Sequence, residues 1–305
     1  MCQKHNVPEF PVFSPIQREH KAPLTAAFQS AQLEISEATF AYQWVWRSRT
    51  HCRLSCLGGS TLLMLESASG QGTFLLPPVT PDRAEAAQAI VAALEAATGA
   101  EAVARVPESL AELLRDRPGL SLVEQRERAD YVHAAEDLRE LPGQRFHAKR
   151  NLIRQFEAAC PGAQYLPLDE TLAQQCAGFC REWFASHPRR DMPSLQREVE
   201  ATLSMLQEWQ WLGLCGGVLL YQDRVVAFAL GEPLNKTTFV VRVEKADTCV
   251  PGSYQAINRQ FARHAAAQFQ WINREQDLGV PGLRRAKQSY CPHHLLSKYE
   301  VRLVR

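Results

Sequence analysis

The sequence predicts an α+β fold, with mostly antiparallel sheets flanked by helices. Strand-like and helix-like segments come in runs rather than in strict β–α alternation, which argues against a doubly wound parallel sheet. The order helices, antiparallel strands, helix, strand is met once in each half of the chain. The 305 residues, 46% hydrophobic and 22% charged, are enough for two globular units of ordinary size.

In the first half, PLTAAFQSAQLEISEATFAYQWVW reads as one or two helices. HCRLSCLG, STLLMLES and GTFLLPP are short and β-rich, and Gly/Ser turns between them suggest an antiparallel meander. PDRAEAAQAIVAALEAATGA opens on Pro and Asp, keeps helical spacing and closes on Gly. EAVARVP reads as a strand, ESLAELLRDR as a helix and LSLVEQRERADYVHA as another strand. A unit boundary is expected near residue 130, giving 1–129 and 130–305.

The second half repeats this grammar. EDLRELPGQRFHAKRNLIRQFEAA is helical around a Pro-Gly break, and AQYLPL is a strand. DETLAQQCAGFCREWFASH and SLQREVEATLSMLQEW are amphipathic helices, the first opened by an acidic cap. GGVLLYQDRVVAFALGEPL is a hairpin around YQDR, and TTFVVRVEKA is a third strand. The loop DTCVPG feeds the helix SYQAINRQFARHAAAQF; QWINRE and KYEVRLV are the last strands.

A net charge of +1 gives no global field to gather nucleic acid or an anionic membrane. No apolar run approaches the ~18 residues that span a bilayer. The N-terminal MCQKHNVPEFPVF has no signal-like apolar core, so a cytoplasmic protein is expected. Nine cysteines, an odd number in a chain of this size, do not suggest a disulfide framework. Cys52/Cys56 and Cys176/Cys180 are expected to be buried free thiols rather than zinc ligands. His147, His264, His293 and His294 form no spaced metal cluster, and no metal is expected.

Two stretches carry the density of chemistry. On TTFVVRVEKA, alternation sets Arg242 and Glu244 on one face of a strand. The following Gly252–Ser253 opens a helix, whose free N–H groups can hold an oxyanion. NREQDLGVPGLRRAKQSYCP, residues 273–292, packs two acids and four basic residues into twenty positions. There Glu275 and Asp277 alternate on one strand face, with Arg284 and Lys287 opposite. A structural salt-bridge network and a substrate-binding turn both fit that pattern. Arg145, Lys149 and Arg150 recur at helical spacing, as either a solvated face or a phosphate- and RNA-contacting edge.

The motifs LPGQRFHAKRNLIRQF (141–156), VEKADTCVPGSYQAINRQF (243–261) and 273–292 resemble the cytosolic C-terminal synthase region of phosphatidylglycerol lysyltransferases. The resemblance is closer still to the soluble phosphatidylglycerol lysyltransferase C-terminal-like proteins, within the GNAT acyltransferase superfamily. It spans residues 130–305 and implies two tandem GNAT-like folds, the first degenerate. It implies aminoacyl transfer from a charged tRNA, or from another activated acyl donor such as an acyl-CoA, to a hydroxyl or amine acceptor. It carries Glu244 and Lys287 over as catalytic. It adds Tyr254, Asn258, Arg284 and Tyr290 to Arg242, Gly252, Ser253, Glu275 and Asp277, read from the residues above, as candidate substrate-binding residues, with Lys287 left free to meet a substrate. The Arg/Gln-x-x-Gly-x-Gly/Ala pattern of acyl-CoA binding is not matched by KADTCVPGSYQ. A non-catalytic GNAT-fold protein that binds a small ligand or RNA is the alternative.

Overall fold

The computed structural model describes residues 6–68, 72–96 and 98–304. The expected turn at 69–71 lies outside the described residues. The first half of the chain supplies β1 (Ser14–Pro15), β2 (Arg53–Leu57), β3 (Thr61–Ala68), β4 (Gly72–Leu75), β5 (Ala102–Pro107) and β6 (Leu120–Glu124). Its helices are α1 (Lys21–Ala31), α2 (Phe40–Thr50), α3 (Arg83–Glu95) and α4 (Glu108–Ala111). The second half supplies β7 (Asp130–Ala134), β8 (Gln164–Pro167), β9 (Cys215–Tyr221), β10 (Arg224–Pro233), β11 (Thr238–Ala246), β12 (Trp271–Asn273), β13 (His294–Leu296) and β14 (Lys298–Leu303). Its helices are α5 (Ala135–Glu140), α6 (His147–Ala159), α7 (Glu170–Ser186), α8 (Pro193–Leu212), α9 (Ser253–His264) and α10 (Pro281–Gln288).

Both seven-stranded sheets follow one plan. An antiparallel run, β1-β2-β3-β4 or β8-β9-β10-β11, meets one parallel neighbour, β5 or β12. The order then continues as β14-β6 in the first sheet and β7-β13 in the second. β7 thus leaves its predecessor β6 for the second sheet, and β14 leaves β13 for the first. β14 therefore crosses from the second half into the first sheet, while β7 stays in the sheet of its own half. This is the α+β architecture the sequence predicts, with two mostly antiparallel sheets flanked by helices. LSLVEQRERADYVHA, however, is two strands in different sheets, broken by a 3-10 turn at Arg126–Arg128. KYEVRLV, expected with the second half, closes the first sheet.

Local signals acted as expected where they were strong. Asp82 caps α3 and Asp169 caps α7 through their side chains. In YQDR, Gln222 and Asp223 both have positive φ, 50° and 60°, the conformation of a two-residue hairpin turn. One apolar core draws on both halves, including Leu54, Met64 and Phe74 with Phe228, Leu230 and Val240. A second core lies beneath α6 and α9, and a third beneath α3. Each large side chain buried there contributes about 1.5–3 kcal/mol. Cys52, Cys176 and Cys180 are buried free thiols, whereas Cys56, expected to be free with them, is disulfide-bonded. Among the described residues no helix is long and apolar enough to cross a membrane.

Candidate functional site

The parallel ladder between β11 and β12 ends at Val240–Asn273, while β11 runs on to Ala246. Past that point the chain after β12 diverges, and a wedge opens between them. Asn273 causes the divergence: its Oδ1 accepts from the backbone N–H of Glu275 at 2.8 Å, and Glu275 turns to φ 55°. Asp277 does the same with Gly279, also at 2.8 Å. These two local turns stop the strand at Asn273, so Glu275 and Asp277 do not share a strand face as the sequence suggested. Glu275 reaches Arg242, while Asp277 reaches Tyr131 and Arg284.

Arg242 and Glu244 also part company, against the expected alternation. The β10–β11 register shifts between Leu230 and Gly231, which pair with Val243 and Val241 and leave Arg242 as a bulge. Val240 and Val243 consequently lie in the core shared by the halves, and Phe239, Val241 and Ala246 in the core under α9. Arg242 turns to the first half, donating to Glu232 (2.9 Å), Glu275 (2.7 Å), the Ser36 carbonyl (2.8 Å) and Thr39 Oγ1 (2.7 Å). Glu244 turns to α9. Its Oε1 accepts from Asn258 Nδ2 at 2.7 Å, and its Oε2 is ion-paired with Arg274.

The segment 273–277 sends each side chain to a different partner. Asn273 reaches Asp130, Arg274 reaches Glu244, and Gln276 reaches Glu37 and Ser36. The residues after it, expected as a turn, form α10. Its Arg284 clasps Asp277 at 2.8 and 3.1 Å, and Tyr131 donates to the same carboxylate at 2.7 Å. Burial alone would raise the Asp277 carboxyl, but these bonds hold it far below the usual range. Lys287, expected to be free, is only 9% exposed and donates to the carbonyls of Arg274 and Gln276. Burial, assisted by Arg274 and opposed by Glu275, brings its pKa down to about 8. The unfolded chain therefore binds more protons than the folded one between that value and the ordinary lysine range. Wild type should gain stability relative to Lys287→Met as pH rises from 8 to 10. Urea titrations of both proteins across that interval would measure the gain, and a constant difference would count against it.

The start of α9 is packed rather than open. Gly252 has φ 77°, and a Cβ there would lie 1.9 Å from the Leu152 carbonyl oxygen of α6. Ser253 is buried and donates to the Asp247 carbonyl at 2.7 Å. Burial pushes the Tyr254 phenol up to about 12. Gly252→Ala should cost about 3 kcal/mol by denaturant titration, since strained φ and collision coincide. The basic residues of 145–150 also have local partners. Arg145 pairs with Asp137 at 2.6 Å, and Arg150 donates to the carbonyls of Leu141 and, at 2.7 Å, Gly143. Lys149 donates to Ser289 Oγ at 2.6 Å and sits 4.1 Å from the Tyr290 ring centre.

Glu244, Asn258, Arg274, Lys287, Lys149 and Tyr290 thus form one cluster in the wedge. Tyr290 is buried beneath the Arg274 guanidinium, 4.7 Å from ring centre to Cζ. Two polar atoms of the cluster are buried without a hydrogen-bond partner, Asn258 Oδ1 and Arg274 NH1. Sequence reasoning missed Arg274, although it stands inside the charged segment; only the turn at Asn273 turns it toward Glu244. Among the described residues, no group of three or more His, Cys, Asp or Glu side chains is set to hold a metal ion.

Residues 28–302 match the family model described as phosphatidylglycerol lysyltransferase, C-terminal. The chain belongs to this family. It is accordingly an acyltransferase-like protein. A conserved protein of unknown function from Bacteroides thetaiotaomicron VPI-5482 is 31% identical, with 96% of this chain and 99% of that one covered and a TM-score of 0.86. The structure of L-PGS from Bacillus licheniformis is 14% identical, covering 98% of this chain and 94% of that one, with a TM-score of 0.67. At that identity the likeness shows the fold alone. No curated protein matches the chain significantly.

Proposed function

We propose that this protein transfers an aminoacyl group from an activated donor, a charged tRNA or alternatively an acyl-CoA, to a hydroxyl or amine acceptor in the wedge between β11 and β12. The observation that carries the reading is Glu244, a partly buried carboxylate held by Asn258 and Arg274, with two buried polar atoms beside it still lacking partners. A buried polar group without a partner costs about 1–3 kcal/mol, so a substrate that engages it regains that energy. Arg274 NH1 would stabilise the oxyanion that forms when the donor carbonyl is attacked. Glu244 would orient the acceptor and hold Arg274. Lys287 would act as a positioning residue, fixing the 274–276 backbone through its two carbonyls.

In this reading residues 130–305 carry the chemistry. Residues 1–129 contribute Ser36 and Thr39, which hold Arg242, and a cytoplasmic setting fits the seven free cysteines among the described residues, Cys56 being the disulfide-bonded exception. One observation favours the non-catalytic alternative: Glu244 is already ion-paired and offers no free base at rest. An RNA-contacting role for Arg145, Lys149 and Arg150 is less well supported, because all three have local partners. Transfer assays with charged tRNA pools and with acyl-CoAs decide the matter. Turnover with either supports the proposal. Tight ligand retention without turnover, in well-folded protein, would favour the binding role.

A further inference from the structure

β6 is the outer strand of the first sheet, and among the described residues it pairs on one side only, with β14. The other three sheet edges are blunted. β1 is two residues long and ends on Pro15, β8 is four long and ends on Pro167, and β13 is three long. β6, LSLVE, has five residues with no proline, lysine or register shift, and one charge, Glu124, at its end. The ladder shows which backbone groups are open. The Gln125 N–H donates to the Lys298 carbonyl, and the Gly119 carbonyl accepts from Val304, both at 2.8 Å. Backbone groups alternate in an antiparallel pair, so those of 119, 121, 123 and 125 face β14, while those of Leu120, Leu122 and Glu124 face away. The Leu120 N–H turns back to the Arg117 carbonyl at 3.4 Å. The Leu120 carbonyl and both backbone groups of Leu122 and Glu124 are left to solvent or to another strand. Apolar surface borders them. Val123 is 50% exposed and Val304 61%, and a groove beside Leu120 is lined by Val91, Pro118, Leu303 and Val304 with Glu95 and Arg117.

We propose that two copies of this chain join through their β6 strands, antiparallel about a two-fold axis at Leu122, so that the first sheet runs on from one copy into the other. The strand's own pattern selects this occupant and this register. With Leu122 opposite Leu122, each Leu122 N–H donates to the other's carbonyl, and each Glu124 N–H donates to the opposite Leu120 carbonyl. All the outward residues of one strand then face outward residues of the other. A shift by two residues sets Glu124 against Pro118, which has no N–H, or Leu120 against the 3-10 turn at Arg126–Arg128. Charge agrees with the register, which carries Arg117 of one copy toward Glu127 of the other. Ser121 and Val123 share the outer face with Arg302 and Glu300. There Ser121 stands opposite Val123, so the exposed valine is covered. On the inner face Leu122 meets Leu122 and extends the core beneath α3. The pairing does not depend on the transfer reading.

Sedimentation equilibrium of the full chain should give a dimer at micromolar concentration. Ser121→Lys combined with Val123→Lys sets lysine opposite lysine at both crossings. It should raise the dimer dissociation constant about 10-fold or more, while circular dichroism remains that of the folded chain. Ser121→Glu combined with Val123→Lys sets opposite charges at the same crossings and should keep the dimer. Only this register sets 121 against 123, so the two double variants test the register as well as the edge. Amide exchange in wild type tests the pairing without any substitution. The Leu122 and Glu124 amides should exchange about 10-fold more slowly as the chain is concentrated from monomer to dimer, whereas those of Ser121 and Val123, already bonded to β14, should change less. A wild type that stays monomeric overturns the proposal and leaves the edge to a different partner. A dimer that both double variants keep lies elsewhere, and one that both lose is in another register; either result overturns it. Should the double-lysine variant fail to fold, exchange at Leu122 and Glu124 that is independent of concentration overturns it.

Discussion

Lys298→Met should destabilise the protein by about 3–5 kcal/mol, the usual cost of removing one partner from a buried ion pair. Lys298 is fully buried, and its ammonium lies 2.7 Å from both Glu37 and Asp130. It opens β14, which crosses into the first sheet, and Asp130 opens β7 of the second sheet, so the pair ties the two sheets together. Methionine fills the space but leaves the buried Asp130 and Glu37 carboxylates without Lys298, Glu37 keeping only the Arg105 cation at 3.5 Å. Burial alone would raise the Glu37 carboxyl, yet Lys298 and Arg105 hold it below its ordinary value. Its contribution is therefore present above the ordinary carboxylate range and is lost as pH falls through the lowered folded value. The variant's deficit should be largest near neutrality and shrink in acid. Urea unfolding of both proteins at pH 7 and at pH 4 would show this, and a deficit below about 1 kcal/mol at pH 7 would mean that the ion pair does not pin the crossing of β14.

Glu244→Gln should lower kcat/KM for transfer by about 100-fold or more, with a stability loss of only about 1 kcal/mol. Glutamine keeps an oxygen for Asn258 Nδ2 and a shape that fits the wedge. It removes the charge that holds Arg274, so the guanidinium loses the orientation on which the oxyanion depends. The split between the two measurements is diagnostic. A purely structural ion pair would show in unfolding and leave turnover intact. Retained turnover with the glutamine variant would remove Glu244 from the chemistry.

Much of this was legible beforehand. The Asp caps, the YQDR turn and the amphipathic helices depend on neighbours along the chain, and their residues announce them. The family motifs singled out Glu244, Asn258, Lys287 and Tyr290, which do meet in one cluster. Arg284 and Asp277 met as well, but as an ion pair clasping α10. Arg242, Gly252 and Ser253 were drawn into packing and hydrogen bonds of other kinds. Arg274 and Lys298 were missed, since a lone arginine or lysine carries no sign of what will surround it.

The sequence by itself determined most element types, though not α10 or the break between β6 and β7, and with them the α+β class and the family, because period, caps and turn residues act locally. Only the tertiary structure decided which side of β11 each charge would occupy. A single-residue bulge at Arg242 reverses the alternation beyond it, and nothing in VVRVEKA signals that bulge. The crossing of β14 into the first sheet was likewise decided at long range. The slot between β5 and β6 accepts an antiparallel strand from whichever half supplies it, and the buried Lys298–Asp130–Glu37 cluster favours the crossed arrangement.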